Sequence, residues 1–105
     1  GWPPEQSDIK VLPQLLDTLS VEIKDIPALQ AIDAIQKRMK VPFLLDHNSI
    51  AKQRIDMSKA VTIPPAKKAF YATILRQVLF QAGLKYSLRV DEAGKPLIWI
   101  TTLKQ

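Results

Sequence analysis

The chain has 105 residues, the length of one ordinary domain, and a chain this long buries roughly two-thirds of the surface that its unfolded form exposes. With 47% hydrophobic and 24% charged residues, it has the composition of a globular protein, which disfavours wholesale disorder, collagen and coiled coil. The absence of cysteine excludes a disulfide framework and a thiolate zinc site, and the net charge of +5 favours anionic partners. No apolar run approaches the roughly 20 residues that span a bilayer.

The chain begins with a predicted tail and a first strand. Residues 1–17 are rich in proline and polar side chains, so we expect a linker with at most a short helix. A single domain follows over residues 18–105. At its start Leu19, Val21 and Ile23 alternate with polar residues, which is the period of a half-buried strand.

Helix one is predicted from about Ile26 to Lys40, with Asp25 as its N-cap and Pro27 in its first turn. Its opposite face carries polar residues, and Asp33 lies four residues before Lys37, the favourable order for an ion pair within a helix. The apolar stripe at helical spacing consists of Ala28, Leu29, Ala31, Ile32, Ile35 and Met39.

A second strand and a loosely patterned connection follow. Val41–Leu45 is a short apolar run, and its proline is tolerated near the start of a strand or at a sheet edge. In the connection, residues 46–59, Asn48 or Ser49 is expected to cap one or two helical turns.

A third strand and helix two come next. The strand is predicted at Ala60–Ile63 and is expected to end at Pro64 and Pro65. Gly83 is expected to end the helix in the left-handed conformation. The helical stripe consists of Tyr71, Ile74, Leu75, Val78, Leu79 and Ala82.

The C-terminal segment predicts a β-hairpin. Leu84–Val90 alternates apolar and polar residues, and a second β-rich run, Leu97–Thr102, follows the turn DEAGKP. The full order is β-α-β-β-α-β-β. We therefore predict an α+β domain in which two amphipathic helices pack on small mixed β-sheets.

Three runs of sequence carry a family likeness over about Thr18 to Thr102. They are VEIKDIPALQAIDAIQKRMKVPFLLD, then AVTI, then ILRQVLFQAGLKYSLRVDEAGKPLIWITT. Together they resemble the short N-terminal domain of secretins and TonB-dependent receptors, a module of bacterial envelope proteins. The resemblance implies a periplasmic or cell-envelope location and a docking role with neither enzymatic activity nor a cofactor.

No catalytic or metal-binding constellation is predicted from the residues. His47, the single histidine, has only Asp46 beside it as a second metal ligand, and it is expected to be an exposed or capping loop residue. The serines lie in no G-x-S-x-G motif, and the isolated glycines form neither a P-loop nor a dinucleotide fingerprint.

Two basic clusters have alternative interpretations. Lys67 and Lys68 are expected in the first turn of helix two, where they either bind an anion together with free backbone N–H groups or extend into solvent. The second cluster, at the end of helix one, is either a binding surface or a solvated helix face. The candidate anion-binding or partner-binding residues are Lys37, Arg38, Lys40, Lys67, Lys68 and Arg76.

Two functions of different classes therefore stay open. The first is a protein-interaction or structural module that binds a protein partner through an apolar patch or an unpaired strand edge, such as Val41–Leu45 or Leu97–Thr102. In this interpretation Trp99 either anchors the interface or packs inside. The second is binding of an anionic polymer, nucleic acid or acidic glycan, through the six basic residues.

Overall fold

The computed structural model describes residues 13–104, which form an α+β fold with a 3₁₀ turn, three α-helices and five strands. The predicted order of strands and long helices is confirmed, with one short helix added. The predicted tail through residue 12 lies outside the described residues. The elements are the 3₁₀ turn (Pro13–Leu16), β1 (Thr18–Pro27), α1 (Ala28–Met39), β2 (Phe43–Leu45), α2 (His47–Lys52), β3 (Ala60–Phe70), α3 (Tyr71–Gln81), β4 (Leu84–Val90) and β5 (Pro96–Thr102).

The strands form two sheets. Sheet A pairs β1 with β3 in antiparallel fashion. Sheet B has the order β2-β5-β4, with β2 parallel and β4 antiparallel to the central β5. Helix α3 contacts β3 of sheet A and β4 of sheet B, and α1 packs beside it. The hydrophobic core therefore lies between the helices and the inner faces of both sheets.

The predicted apolar stripes of both long helices face this core, with Leu29 as an exception that stays half exposed. Full burial of a large aliphatic side chain contributes roughly 1.5–3 kcal/mol, so these stripes supply much of the folding free energy. Leu15 of the 3₁₀ turn joins the same core. The largest contributions from the helices and strands come from Ile32, Ile35, Val61, Ile63, Ile74, Leu75, Val78, Leu79, Leu84, Ile98 and Ile100.

Helix α1 begins differently from the prediction. Asp25 does not cap it, because β1 continues through Pro27 and the helix starts at Ala28. The N–H groups of Ala28 and Leu29 donate to the carbonyls of Lys59 and Met57, each at 2.9 Å. Carbonyls from a distant loop thus satisfy two of the four N–H groups that a helix start leaves free, and no side-chain cap is present.

Strand β3 continues past Pro64 and Pro65, so the prediction that these prolines end it is wrong. The pairing with β1 resumes beyond the prolines, at Ala66 and Ala69, after a shift in register. Proline is tolerated at such a bulge because no ladder bond is required of it. Lys67 and Lys68 consequently lie in β3, and the expectation that they occupy the first turn of a helix is wrong.

The connection after β2 contains the short helix α2, whose N-cap is Asp46 rather than Asn48 or Ser49. Strand β2 itself is shorter than predicted, since it begins at Phe43. After α3, Gly83 adopts a φ of 82°, which confirms the predicted left-handed residue.

Candidate functional site

The residues with catalytic or metal-binding potential do not assemble into a cluster. His47 is exposed at the start of α2, and the Asp46 carboxylate is engaged in capping that helix. In the part of the chain that the structure describes, no three His, Cys, Asp or Glu side chains come together as a metal site requires.

The six basic candidates lie on several elements. Lys37 forms the predicted ion pair with Asp33 at 3.0 Å. Arg38, Lys40 and Arg76 line three depressions that share no lining residue: between α1 and β1, at the end of α1, and between β3 and α3. Binding of an anionic polymer stays a prediction from the net charge.

Within the described part of the chain, the two open sheets have four outer strand edges, and the edge of β2 is short and partly closed. This strand has three residues, and the N–H of Phe43 donates to Oε1 of Gln36 at 2.8 Å. A strand adding here would find the first outward donor already occupied.

The outer edge of β3 is closed by side chains. Gln81, at the end of α3, accepts a hydrogen bond from the Thr62 N–H at 3.0 Å and donates its Nε2 to the Thr62 carbonyl at 2.9 Å. One amide therefore makes both bonds that a neighbouring strand would make. Farther along the edge, Pro64 and Pro65 have no N–H to offer. A strand adding here would find the backbone groups of Thr62 already bonded and no donor at either proline.

The edge of β1 is irregular. Its register against β3 shifts between Leu19 and Val21, between Val21 and Ile23, and between Ile23 and Ile26. Bulges of this kind twist an edge strand and interrupt the even row of donors and acceptors that an added strand needs.

The edge of β4 is long and regular. All seven residues from Leu84 to Val90 pair with consecutive residues of β5 without a register shift. Within residues 13–104, β5 is the only strand that pairs with β4. Of the four edges, that of β4 best resembles a template for strand addition.

Two loop hydrogen bonds show which backbone groups of β4 point outward. The N–H of Leu103 donates to the Gly83 carbonyl at 3.0 Å, and the N–H of Asp91 donates to the Lys95 carbonyl at 2.9 Å. In an antiparallel ladder, hydrogen-bonded pairs alternate along the strand, so the odd-numbered residues bond to β5. The N–H and C=O groups of Leu88 and Val90 consequently point away from the sheet.

Next to this edge, the outer side of sheet B forms a surface that we name the Trp99 face: Leu44, Lys85, Arg89, Leu97 and Trp99. Leu44 is the register partner of Trp99 and is half exposed. The Arg89 guanidinium carbon lies 4.6 Å from the centroid of the Trp99 ring, a cation–π geometry. Trp99 is half-buried and belongs to the outer side, because Ile98 and Ile100 face the core.

Asp46 lies on the same side of sheet B, at the end of β2. Its carboxylate accepts hydrogen bonds from the Ser49 hydroxyl at 2.7 Å, the Ser49 N–H at 3.2 Å and the Thr101 hydroxyl at 2.8 Å. These hydrogen bonds lower the pKa of Asp46, and the bond from the Ser49 hydroxyl has the largest effect. The positive charge of Arg89 lowers the pKa further. One carboxylate therefore ties together β2, α2 and β5.

The open edge differs from the two edges predicted from the sequence. Leu97–Thr102 is not an edge, because β5 is the central strand of sheet B. Val41–Leu45 is an edge over Phe43–Leu45 only. Sequence reasoning found the β4–β5 hairpin but missed the edge of β4, because the parallel pairing of β2 with β5 has no local signal.

A search with protein-family models and a search of curated proteins found no match to this chain. The resemblance to the short N-terminal domain of secretins and TonB-dependent receptors stays a prediction from the sequence. Among the helices that the structure describes, none is long and apolar enough for a bilayer crossing.

We expect Asp46→Asn to remove part of the acid sensitivity of the fold. Because the folded pKa of Asp46 is lowered, its carboxylate stabilises the fold above the unfolded pKa of about 3.9, and this stabilisation is lost as the pH falls through the folded pKa. The difference in free energy of unfolding between wild type and variant should therefore be constant near neutral pH and shrink below about pH 4. Urea unfolding across this range measures it, and a difference that persists unchanged in acid contradicts the assignment.

We expect Gln81→Leu to destabilise the fold by about 1 kcal/mol. The substitution removes two hydrogen bonds at the β3 edge, and water then partly replaces them. Gln77→Leu is the matched control, because Gln77 is exposed on the same helix. Chemical denaturation compares the two variants. Equal stability would show that the amide of Gln81 does not hold the edge.

Proposed function

We propose that this chain is a non-catalytic protein-interaction module of a larger bacterial cell-envelope protein, located in the periplasm or cell envelope. It binds an extended segment of a protein partner by strand addition to β4. The envelope setting is supported by the sequence resemblance. The mode of binding is supported by one observation above all: β4 pairs with β5 without a register shift and turns the backbone groups of Leu88 and Val90 outward, while the other three outer edges are capped, interrupted by proline or bulged.

Strand addition uses backbone bonds for affinity and alternate side chains for specificity. At β4 the outward groups of Leu88 and Val90 supply donors and acceptors. Val90 is 57% exposed, so a partner side chain that covers it removes apolar surface from water. Leu88 is half-buried and extends this apolar side toward the core.

The charges around the edge define the chemistry of the partner. Lys85 and Arg89 project from β4 on the Trp99 face, where both are exposed. Acidic side chains on that face of an added strand would pair with them, and apolar side chains on the other face would pack on Val90. A second copy of β4 would bring these cations close to like charges, which disfavours self-pairing. We therefore assign the edge to an acidic, alternating segment of a different protein.

We expect an N-acetylated peptide alternating Glu and Val to shift the amide resonances of Leu88 and Val90 in titrations followed by NMR. Val90→Pro removes one outward N–H donor without removing a hydrogen bond between β4 and β5. It should weaken peptide binding about fivefold, which corresponds to roughly 1 kcal/mol for one hydrogen bond. Val90→Thr has a similar shape, keeps the N–H and should bind nearly as the wild type.

Two further comparisons test the same proposal. A peptide alternating Lys and Val should bind more weakly to the wild type, and the double change Lys85→Glu with Arg89→Glu should reverse the preference. Shifts confined to β1, or equal binding of the acidic and basic peptides, would show that the β4 edge is not the docking site.

A further inference from the structure

A depression of about 350 Å³ lies between the outer edge of β3 and helix α3, on a part of the surface that does not include β4. Its walls are mostly apolar or neutral, and its one charged side chain is Arg76. The lining residues are Thr62, Ile63, Pro64, Arg76, Gln77, Phe80 and Gln81.

Arg76 lines this depression, and one of its guanidinium nitrogens has no hydrogen-bond partner among the described residues. This nitrogen, Nη1, is buried. Buried donors are almost always paired, and one that belongs to a charged group is costly to leave without a partner. Among the residues that the structure describes, no carboxylate lines the depression to neutralise the guanidinium. The side chains that line the depression therefore leave the positive charge of Arg76 without a counter-charge.

The polar and apolar neighbours of Arg76 have different roles in this depression. The amide of Gln81 is held at both ends by the backbone of Thr62. Pro64 presents an apolar ring, and Phe80, at 66% exposure, forms an apolar wall that the fold leaves uncovered. The depression is thus lined by the fixed amide of Gln81, the guanidinium of Arg76 and the exposed ring of Phe80.

We propose that this depression binds a carboxylate carried on an apolar body. Arg76 would hold the carboxylate through charge-assisted hydrogen bonds, and Phe80 would cover the apolar part. A single positive charge matches a monoanion better than a phosphate dianion, since Lys67 and Lys68 do not line the site. Both a peptide C-terminus and a Glu or Asp side chain carry this chemistry. The proposal does not depend on strand addition at β4, and the failure of one leaves the other standing.

The test uses three small probes and the side-chain N–H resonances of Arg76. N-acetylphenylalanine carries a backbone carboxylate, N-acetylglutamate α-amide carries a side-chain carboxylate, and N-acetylphenylalaninamide is the neutral control. For fragments of this size we expect dissociation constants of about 1 mM for the carboxylates. Binding of the first probe alone identifies a peptide C-terminus as the source, and binding of the second alone identifies an acidic side chain.

Matched variants separate recognition from general charge. Arg76→Met should weaken carboxylate binding at least about tenfold, and Arg76→Lys should weaken it less, because the ammonium keeps the charge but not the planar fork. Arg38→Met, a change at an arginine in a different depression, should leave binding unchanged. Phe80→Ala should weaken N-acetylphenylalanine binding while the folded spectrum is kept.

Three results would overturn the proposal. The first is that the neutral amide binds as tightly as the carboxylates, and the second is that neither carboxylate shifts the Arg76 resonances. The third is that Arg38→Met reduces binding as much as Arg76→Met does. Unfolding curves of Arg76→Met check that the fold is intact, and Phe80→Ala provides a second variant outside the charged group.

Discussion

The burial of α3 against both sheets holds the fold together. Its stripe of Ile74, Leu75, Val78 and Leu79 is almost completely removed from water, and the helix contacts strands of sheet A on one side and of sheet B on the other. A two-stranded sheet is not stable alone in water, so sheet A depends on this contact. Because the helices cover the inner faces of the sheets, the surfaces left for partners are the strand edges, the outer sheet faces and the outer sides of the helices.

Local periodicity predicted the elements that depend on their own side chains. The stripes of α1 and α3 and the β4–β5 hairpin follow from periods of 3.6 and 2, which short stretches of sequence contain in full. The start of α1 was not predicted, because its first two N–H groups donate to the carbonyls of Met57 and Lys59, about thirty residues away. The prediction that the prolines of β3 end this strand was wrong for a related reason, because whether proline ends a strand depends on the pairing with the neighbouring strand.

The candidate site was less predictable than the fold. The basic residues were visible as composition, but only the folded backbone shows that Arg38, Lys40 and Arg76 line separate depressions. Gln36 and Gln81 read as ordinary polar surface residues, and their use as substitutes for a neighbouring strand depends on distances that a sequence does not contain. The edge of β4 was identified as a docking surface only by comparison with the edges that these glutamines occupy.

The position of β5 at the centre of sheet B has a consequence for how the chain folds. Of the five strands that the structure describes, the central β5 comes last in the sequence, and its partner β2 lies more than fifty residues earlier, at Phe43–Leu45. Sheet B therefore cannot assemble until nearly the whole domain has left the ribosome. Until then both β2 and β4 lack their partner strand, and the unfinished chain exposes unpaired edges that invite misassembly. Non-local pairing of this kind slows folding, because the entropy of closing the long intervening loop is lost before the strand contacts form.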